Sequence, residues 1–248
     1  MFSLRRAFSG NELLREKQKD YRNVVIMQIV IVVSGLLMSE FLINGSNLQI
    51  RKLVITIFSG FGALYSFLLW DMLRNFTNQL WLIKLILIVL VAIVITGVLG
   101  EFPYYQIIEI NNRPLYLFIL HGALFPIEIT IIGFAMRDIF SGKVLSPDKI
   151  WGAACIYLMI GISFGSLYDL IAILNPSSLG IKLELGMPSY TENIYYSFNV
   201  LGGLDTAYPN PINLVRNLGV IEAIWGNLFI VLIIGKLFTM PRQAKENE

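Results

Sequence analysis

The sequence is poor in the residue types on which soluble and secreted proteins depend. Of its 248 residues only 15% are charged, one is a cysteine and one is a histidine. A single cysteine cannot form an internal disulfide, which excludes a disulfide scaffold. A soluble domain carries about a quarter charged residues because its surface must be solvated. Ordinary soluble enzymes and nucleic-acid binders are therefore excluded as well.

Long apolar runs take the place of the missing charges. Hydrophobic residues make up 56% of the chain, and Glu40 is the single charge between residues 24 and 42. Residues 85–100 contain no charge. A bilayer core about 30 Å thick is crossed by about 20 apolar residues in a helix. The sequence thus predicts an all-α polytopic membrane protein with six transmembrane helices, at 24–43, 53–70, 80–99, 115–135, 151–172 and 214–239.

The distribution of lysine and arginine predicts the orientation of these spans. Fourteen of the 19 Lys and Arg residues lie in the two termini and in the segments that share their side. Because such residues concentrate on the cytoplasmic side, we expect the N-terminal segment 1–23 and the tail 240–248 to be cytoplasmic. The first 22 residues lack the apolar core of a cleavable signal peptide. The remaining five Lys and Arg residues, on the other side of the membrane, are Arg51, Lys52, Arg113, Lys182 and Arg216.

The connection between the last two spans, residues 173–213, has an unusual pattern. An amphipathic, aromatic-rich stretch at about 191–203 predicts a short helix, and the pair Gly202-Gly203 ends it. A polar piece with Asp205 and two prolines follows before the last span. Non-helical backbone survives at membrane depth only where protein or water satisfies its polar groups. A short helix and an extended return between two spans is how pore loops are built, so we predict a re-entrant helix and loop here.

Three pieces of this region resemble a known family. They are Tyr-Ser-Phe at 196–198, RNLGVIEA at 216–223 and GNL at 226–228. Together they are similar to the pore module of small bacterial potassium-channel-like proteins, over about residues 191–237. In that family an aromatic-Ser-Phe pore helix leads to a Thr-Thr-x-Gly-Tyr-Gly-Asp filter. An Arg-x-Leu-x-x-Leu-Glu-Ala segment then opens the inner helix, followed by Gly-Gln-Leu-Tyr.

The resemblance implies an architecture and several residue roles. It implies a pore module at 150–239 that assembles as a tetramer, with a four-helix peripheral region at 24–149 around it. The span at 151–172 would be the outer pore helix by its position. Passive cation flux through the shared axis is the implied function, and a bacterial plasma membrane is the implied location. Residues with a structural role around the pore would be Phe198, Arg216, Glu222 and Gly226.

The filter segment departs from the family pattern. Aligned through Phe198, the family's Thr-x-Gly-Tyr-Gly-Asp falls on residues 203–208, where Asp205 and Ala207 replace the two glycines. A Cβ penalises the left-handed backbone that glycine adopts by about 1 kcal/mol or more. We therefore expect weak potassium selectivity, with four Asp205 carboxylates at the outer mouth attracting monovalent or divalent cations. The candidate pore residues are Gly202, Gly203, Leu204, Asp205, Thr206 and Ala207.

Two other functional classes remain open. The module could be a non-conducting, channel-like scaffold or regulatory subunit. A proton-coupled transporter could instead use His121 and Glu128, which are seven residues apart and so share a face of the fourth span. We predict that voltage does not gate this protein, because the span at 115–135 has no arginine and a voltage-sensor helix needs several. No partner other than lipid and further copies of the chain is indicated.

One motif suggests an enzyme, but its context argues against that reading. Gly161-Ile-Ser163-Phe-Gly165 matches the Gly-x-Ser-x-Gly pattern of serine hydrolases. No strand precedes Ser163, and His121 comes before the serine, whereas rhomboid-type intramembrane proteases place their histidine in a later span. Small residues four apart are ordinary packing positions in a span. We expect no catalytic residues, no metal site and no cofactor, since no ligand or nucleotide motif appears.

Overall fold

The computed structural model describes residues 10–43, 48–77, 79–101, 111–141, 147–205, 208 and 210–239. In this part of the chain there are seven helices, and six of them are long and apolar enough to cross a membrane. The all-α class and the six predicted spans are confirmed. The helices are α1 (Gly10–Ile43), α2 (Leu48–Phe76), α3 (Leu80–Glu101), α4 (Arg113–Ser141), α5 (Pro147–Leu174), α6 (Met187–Leu201) and α7 (Asn213–Thr239).

Several helices extend beyond their predicted bounds, and two of these differences have a local explanation. Helix α1 starts at Gly10, so the charged segment before the first span is continuous with that span. Residues 11–23 contain no proline and no glycine, and the helix therefore continues through them. Helix α6 starts at Met187 instead of 191, because Pro188 is favourable in the first turn. The tail 240–248 and residues 1–9 lie outside the described residues.

Helix α5 is the central helix of the bundle. In its most apolar window 72% of the residues are buried, against 17–33% in the other five spans. It packs against α1, α4, α6 and α7. Cys155, Ile156 and Met159 on α5 have no exposed surface. The outer helices instead present apolar side chains outward, as helices in contact with lipid do.

Helix α6 lies antiparallel against α5. At its midpoint, Ile194 packs on Gly165, where any Cβ would collide with it. At its end, the Tyr157 hydroxyl donates to the carbonyl oxygen of Leu201 at 3.3 Å. The 17 residues of α5 between Tyr157 and Leu174 cover about 25 Å at 1.5 Å per residue. The last turn of α6 is thus about 25 Å along α5 from the end where α5 stops.

After α6 the chain comes back along the same helix. The Tyr208 ring lies 6.2 Å from that of Tyr195 and 6.1 Å from that of Tyr196, in the middle of α6. Ile212 N–H then donates to the carbonyl oxygen of Ser178 at 2.9 Å, just beyond the end of α5. The α6 segment therefore begins and ends at the same end of the bundle, and α7 starts there.

Helix α7 has one buried face and one exposed face. The buried residues recur at alternating spacings of four and three, which defines a narrow packing seam against α5 and α6. Between them lie apolar residues that are about half exposed or more. The seam consists of Val215, Gly219, Glu222, Gly226, Phe229 and Ile233. The exposed face includes Val220, Ile221, Ile224, Leu228, Val231 and Leu232.

Candidate functional site

The turn that ends α6 is a glycine-dependent helix stop. Leu204 N–H donates to the carbonyl oxygen of Asn199 at 2.8 Å, and Gly203 N–H to that of Val200 at 3.1 Å. This pair of bonds is a Schellman motif, whose penultimate residue adopts a left-handed conformation. Gly203 fills that position with φ +67°. The glycine pair thus explains why α6 stops before the candidate pore residues.

The residues around this turn are exposed. Gly202, Gly203 and Asp205 are exposed, and Leu204 retains 65% of its accessible surface. Because Leu201 packs on Gly226, 13 residues into α7, the turn lies about 20 Å along α7 from its first residue. An apolar side chain and irregular backbone are therefore uncovered deep along the bundle.

Asp205 lies next to the turn that ends α6. It directly follows Leu204, which bonds the last turn of α6, and comes three residues before Tyr208 at mid-helix. Asp205 is therefore close to the last turn of α6, because the left-handed turn at Gly203 reverses the chain. Tyr208 is buried against α6. Thr206 and Ala207, the other two candidate pore residues, lie outside the described residues, as does Pro209.

Glu222 fastens α7 to α5 and α6. The Tyr168 hydroxyl of α5 donates to its Oε2 at 2.7 Å. Ser197 Oγ of α6 is hydrogen-bonded to Glu222 Oε1 and lies 2.7 Å from the carbonyl oxygen of Gly161. Glu222 has no exposed surface. The acid is buried because two hydroxyls from the neighbouring helices replace its water.

The other three residues assigned structural roles have different surroundings. The Phe198 ring lies against Gly161, where a Cβ would be 2.8 Å from Cζ of the ring. Gly226 gives the same close approach to Leu201. Arg216 is instead exposed and donates from Nη2 to Asn213 Oδ1 on its own helix at 3.1 Å. Phe198 and Gly226 pack the module together, whereas Arg216 lies on its surface.

Asp169 is a site residue that the sequence reading missed. Its carboxylate is 1% exposed and lies 2.6 Å from His121 Nδ1 of α4, measured from Oδ2. On α6, Ser189 Oγ donates to Asp169 Oδ1 at 2.7 Å, and Asn193 Nδ2 is 3.4 Å from the same oxygen. The available signal was an ionisable residue inside an apolar span, which requires a partner. Asp169 joins α4, α5 and the first turns of α6.

His121 and Glu128 do not form the pair that their spacing suggested. His121 is engaged by Asp169, while Glu128 is 2% exposed and faces Ser163 and Ser166 of α5. Seven residues of helix separate the two groups by about 10 Å, so each finds its own partners on α5. Ser163 likewise faces an acid and not the histidine. Gly161 and Gly165, which flank it, are packing positions against α6.

An apolar cavity of about 90 Å³ lies between α1, α2, α5 and α6. Its wall includes Gly35, Gly62 and Ile194, with the rings of Tyr65 and Tyr190. Apolar cavities exclude water. The cavity is lined by residues of α1, α2, α5 and α6. In the part of the chain that the structure describes, no group of three or more His, Cys, Asp or Glu residues could hold a metal ion.

Comparisons with protein-family models, with curated proteins and with solved structures returned no match to this chain.

Proposed function

We propose that this protein is a cation channel in which four copies surround a pore formed by the α6 turn and the α7 helices. The helices α5, α6 and α7 form the pore module, and α1–α4 form its periphery. The proposal places α6 as a re-entrant helix in a bacterial plasma membrane, with both termini cytoplasmic. Cations pass down their gradient with weak potassium selectivity, and transmembrane voltage does not gate the pore.

The exposed turn at 202–205 is the observation that carries this proposal. Its irregular backbone lies about 20 Å along α7 from the end where the α6 segment starts, well within the thickness of a bilayer core. Lipid cannot satisfy irregular backbone, so protein or a water-filled space must cover it. A single copy leaves Gly202, Gly203 and Asp205 exposed. Further copies around a common water-filled axis would cover part of this backbone with protein and the rest with water.

The exposed face of α7 supports an assembly of this kind. Its apolar residues alternate with the seam residues, so one side of α7 packs on α5 and α6 and the other side is exposed and could contact another copy. A closed ring of identical copies uses one such face repeatedly. One turn cannot enclose a path by itself, and the resemblance to potassium-channel-like proteins implies four.

Asp205 supplies the ion chemistry in this proposal. Four carboxylates around one axis attract cations and repel anions, as acidic rings in cation channels do. A carbonyl cage for dehydrated potassium is not expected, because Gly203 is used to stop α6. Hydrated or partly hydrated cations would pass, including sodium and calcium.

Planar-bilayer recording tests the conduction and the role of Asp205 together. Purified protein is recorded under asymmetric sodium, potassium and calcium chloride, and wild type should show reversal potentials set by the cations. Asp205→Asn should shift them toward those of a non-selective pore. Glu184→Gln is the matched control, since it removes an exposed carboxylate that bonds Arg51 at 2.6 Å away from the turn. Reversal potentials that are the same in wild type and Asp205→Asn would remove the assignment.

Cysteine cross-linking tests the shared axis independently of conduction. In a Cys155→Ser background, Leu204→Cys places the one thiol at the turn. Oxidation should then link copies into dimers on a denaturing gel. Ile88→Cys on α3 is the control, because its 66% exposure matches the 65% of Leu204 but its position faces outward. Equal cross-linking of both variants would mean random collision and would contradict the assembly.

The same experiments separate the two alternatives. A non-conducting scaffold would cross-link through Leu204→Cys but give no current. A proton-coupled transporter would show saturable, pH-dependent uptake into vesicles that fails on Glu128→Gln and persists in Asp205→Asn.

A further inference from the structure

Four buried polar groups from four helices meet at the centre of α1, α2, α4 and α5. Tyr65 lies beside Gln28 and near Glu128, and Glu128 faces Ser163. Each has a side-chain oxygen or nitrogen that is buried without a hydrogen-bond partner among the described residues: Gln28 Oε1 and Nε2, Tyr65 OH, Glu128 Oε2 and Ser163 Oγ. We call these four residues, with Ser166 beside Glu128, the Glu128 cluster. Buried polar atoms nearly always have a partner, so this concentration indicates a bound species between them.

The Glu128 cluster lies halfway through the spans. Gln28 is central in the span Gln18–Leu37, Glu128 in Arg113–Phe140 and Ser163 in Lys149–Leu174. Transfer of an uncompensated carboxylate to such a place is prohibitive. On the neighbouring turns His121 is engaged by Asp169, and Lys149 lies at the start of α5, where it bonds Asp138. The Glu128 charge therefore lacks a protein counter-ion among the described residues.

We propose that the Glu128 cluster binds one monovalent metal cation. A single carboxylate balances a single positive charge. The hydroxyls of Ser163, Ser166 and Tyr65 and the amide oxygen of Gln28 supply the neutral oxygen ligands that hard cations prefer. A cation held between these oxygens would give a partner to those that are buried without one. It would hold α1, α2, α4 and α5 together, apart from the α6 turn, and does not depend on the proposed pore.

Thermal unfolding of the purified protein in neutral detergent tests this site. Melting is compared at pH 8 in sodium, potassium and choline chloride at one ionic strength. The metal cation should raise Tm saturably, by about 3–6 °C at ten times its Kd, relative to choline. Glu128→Gln should abolish the rise. Tyr65→Phe, which removes one oxygen and keeps the ring, should raise the half-saturating concentration about five- to tenfold.

The controls make every outcome decisive. Glu184→Gln should keep the full rise, because its exposed carboxylate bonds Arg51 and lies outside the cluster; a rise lost there, or a rise kept in Glu128→Gln, overturns the proposal. Equal melting in choline and metal salts, or a Tm that responds to pH alone, also overturns it, the latter because a proton then neutralises Glu128. If Glu128→Gln does not fold, the shift in half-saturation of Tyr65→Phe decides, since an unchanged value rejects the site.

Discussion

Two buried acids, Glu222 and Glu128, are embedded in this bundle in opposite ways. Glu222 is bonded by Tyr168 at 2.7 Å and by Ser197, so three helices share its carboxyl group. Glu128 is equally buried and faces a serine, yet its Oε2 has no partner among the described residues. The same type of side chain is thus fully hydrogen-bonded in one region and has one oxygen without a partner in the other.

The difference shows why burial alone does not reveal the role of an acid in a membrane protein. A buried hydrogen bond that is complete adds modestly to stability, but an orphaned partner costs about 1–3 kcal/mol. Removal of Glu222 would orphan two hydroxyls, whereas Glu128 Oε2 has no partner among the described residues to leave behind. The pair can therefore be compared by substitution, with choline as the only cation so that metal binding makes no contribution.

Glu222→Leu should have the largest effect. It leaves the hydroxyls of Tyr168 and Ser197 buried without their acceptor, and we expect a loss of about 2–4 kcal/mol in the free energy of unfolding. Glu128→Leu is the matched control and should cost less than about 1 kcal/mol or be stabilising. Denaturant titration in mixed micelles measures both. Equal losses would mean that the two acids are embedded alike and would end the comparison.

Gly165→Ala tests the close packing of α5 on α6 that sets both acids in place. The new Cβ would lie 3.0 Å from Cα of Ile194, so the helices must separate. Overpacking of this kind costs about 1–3 kcal/mol, which a lower Tm would report. Gly235→Ala on α7 meets nothing within 4 Å and should stabilise by up to about 1 kcal/mol through helix propensity. A Gly165→Ala protein as stable as wild type would contradict the tight contact.

Gly203→Ala tests the helix stop near Glu222. Its φ of +67° disfavours any Cβ, and we expect a loss of about 1–2 kcal/mol in unfolding free energy. A steric clash would not cause this loss, because no atom lies within 4 Å of the new Cβ. Gly60→Ala, a helical position that is equally open, should not destabilise. Similar stabilities of these two variants would show that the turn relaxes freely.

Tyr168→Phe and Tyr65→Phe should give the smallest contrast. The Tyr168 hydroxyl bonds Glu222, and its removal should cost about 1 kcal/mol. The Tyr65 hydroxyl has no partner among the described residues, so Tyr65→Phe in choline should be neutral within about 0.5 kcal/mol. Thermal melting of both variants measures the difference. A costly Tyr65→Phe would reveal a bond that the structure does not contain.

The apolar runs made the six spans predictable, and the amphipathic, aromatic-rich stretch made α6 predictable, since both patterns depend on local sequence alone. The approach of Gly226 and Phe198 to the module's packing seams also fits the roles assigned to them. The partners of the ionisable residues were not predictable. His121 was grouped with Glu128 through spacing on one helix, whereas its partner in the structure is Asp169.

The chain's order of residues alone determined that it is helical, that it can cross a membrane six times, and where a short helix ends at Gly202-Gly203. Each of these depends on the free energy of transfer to lipid or on local backbone preference. Only the tertiary structure decided which acid is bonded and which is left open. Those partners lie on α4, α5, α6 and α7, far apart in sequence, and the packing of glycines against side chains brings them together.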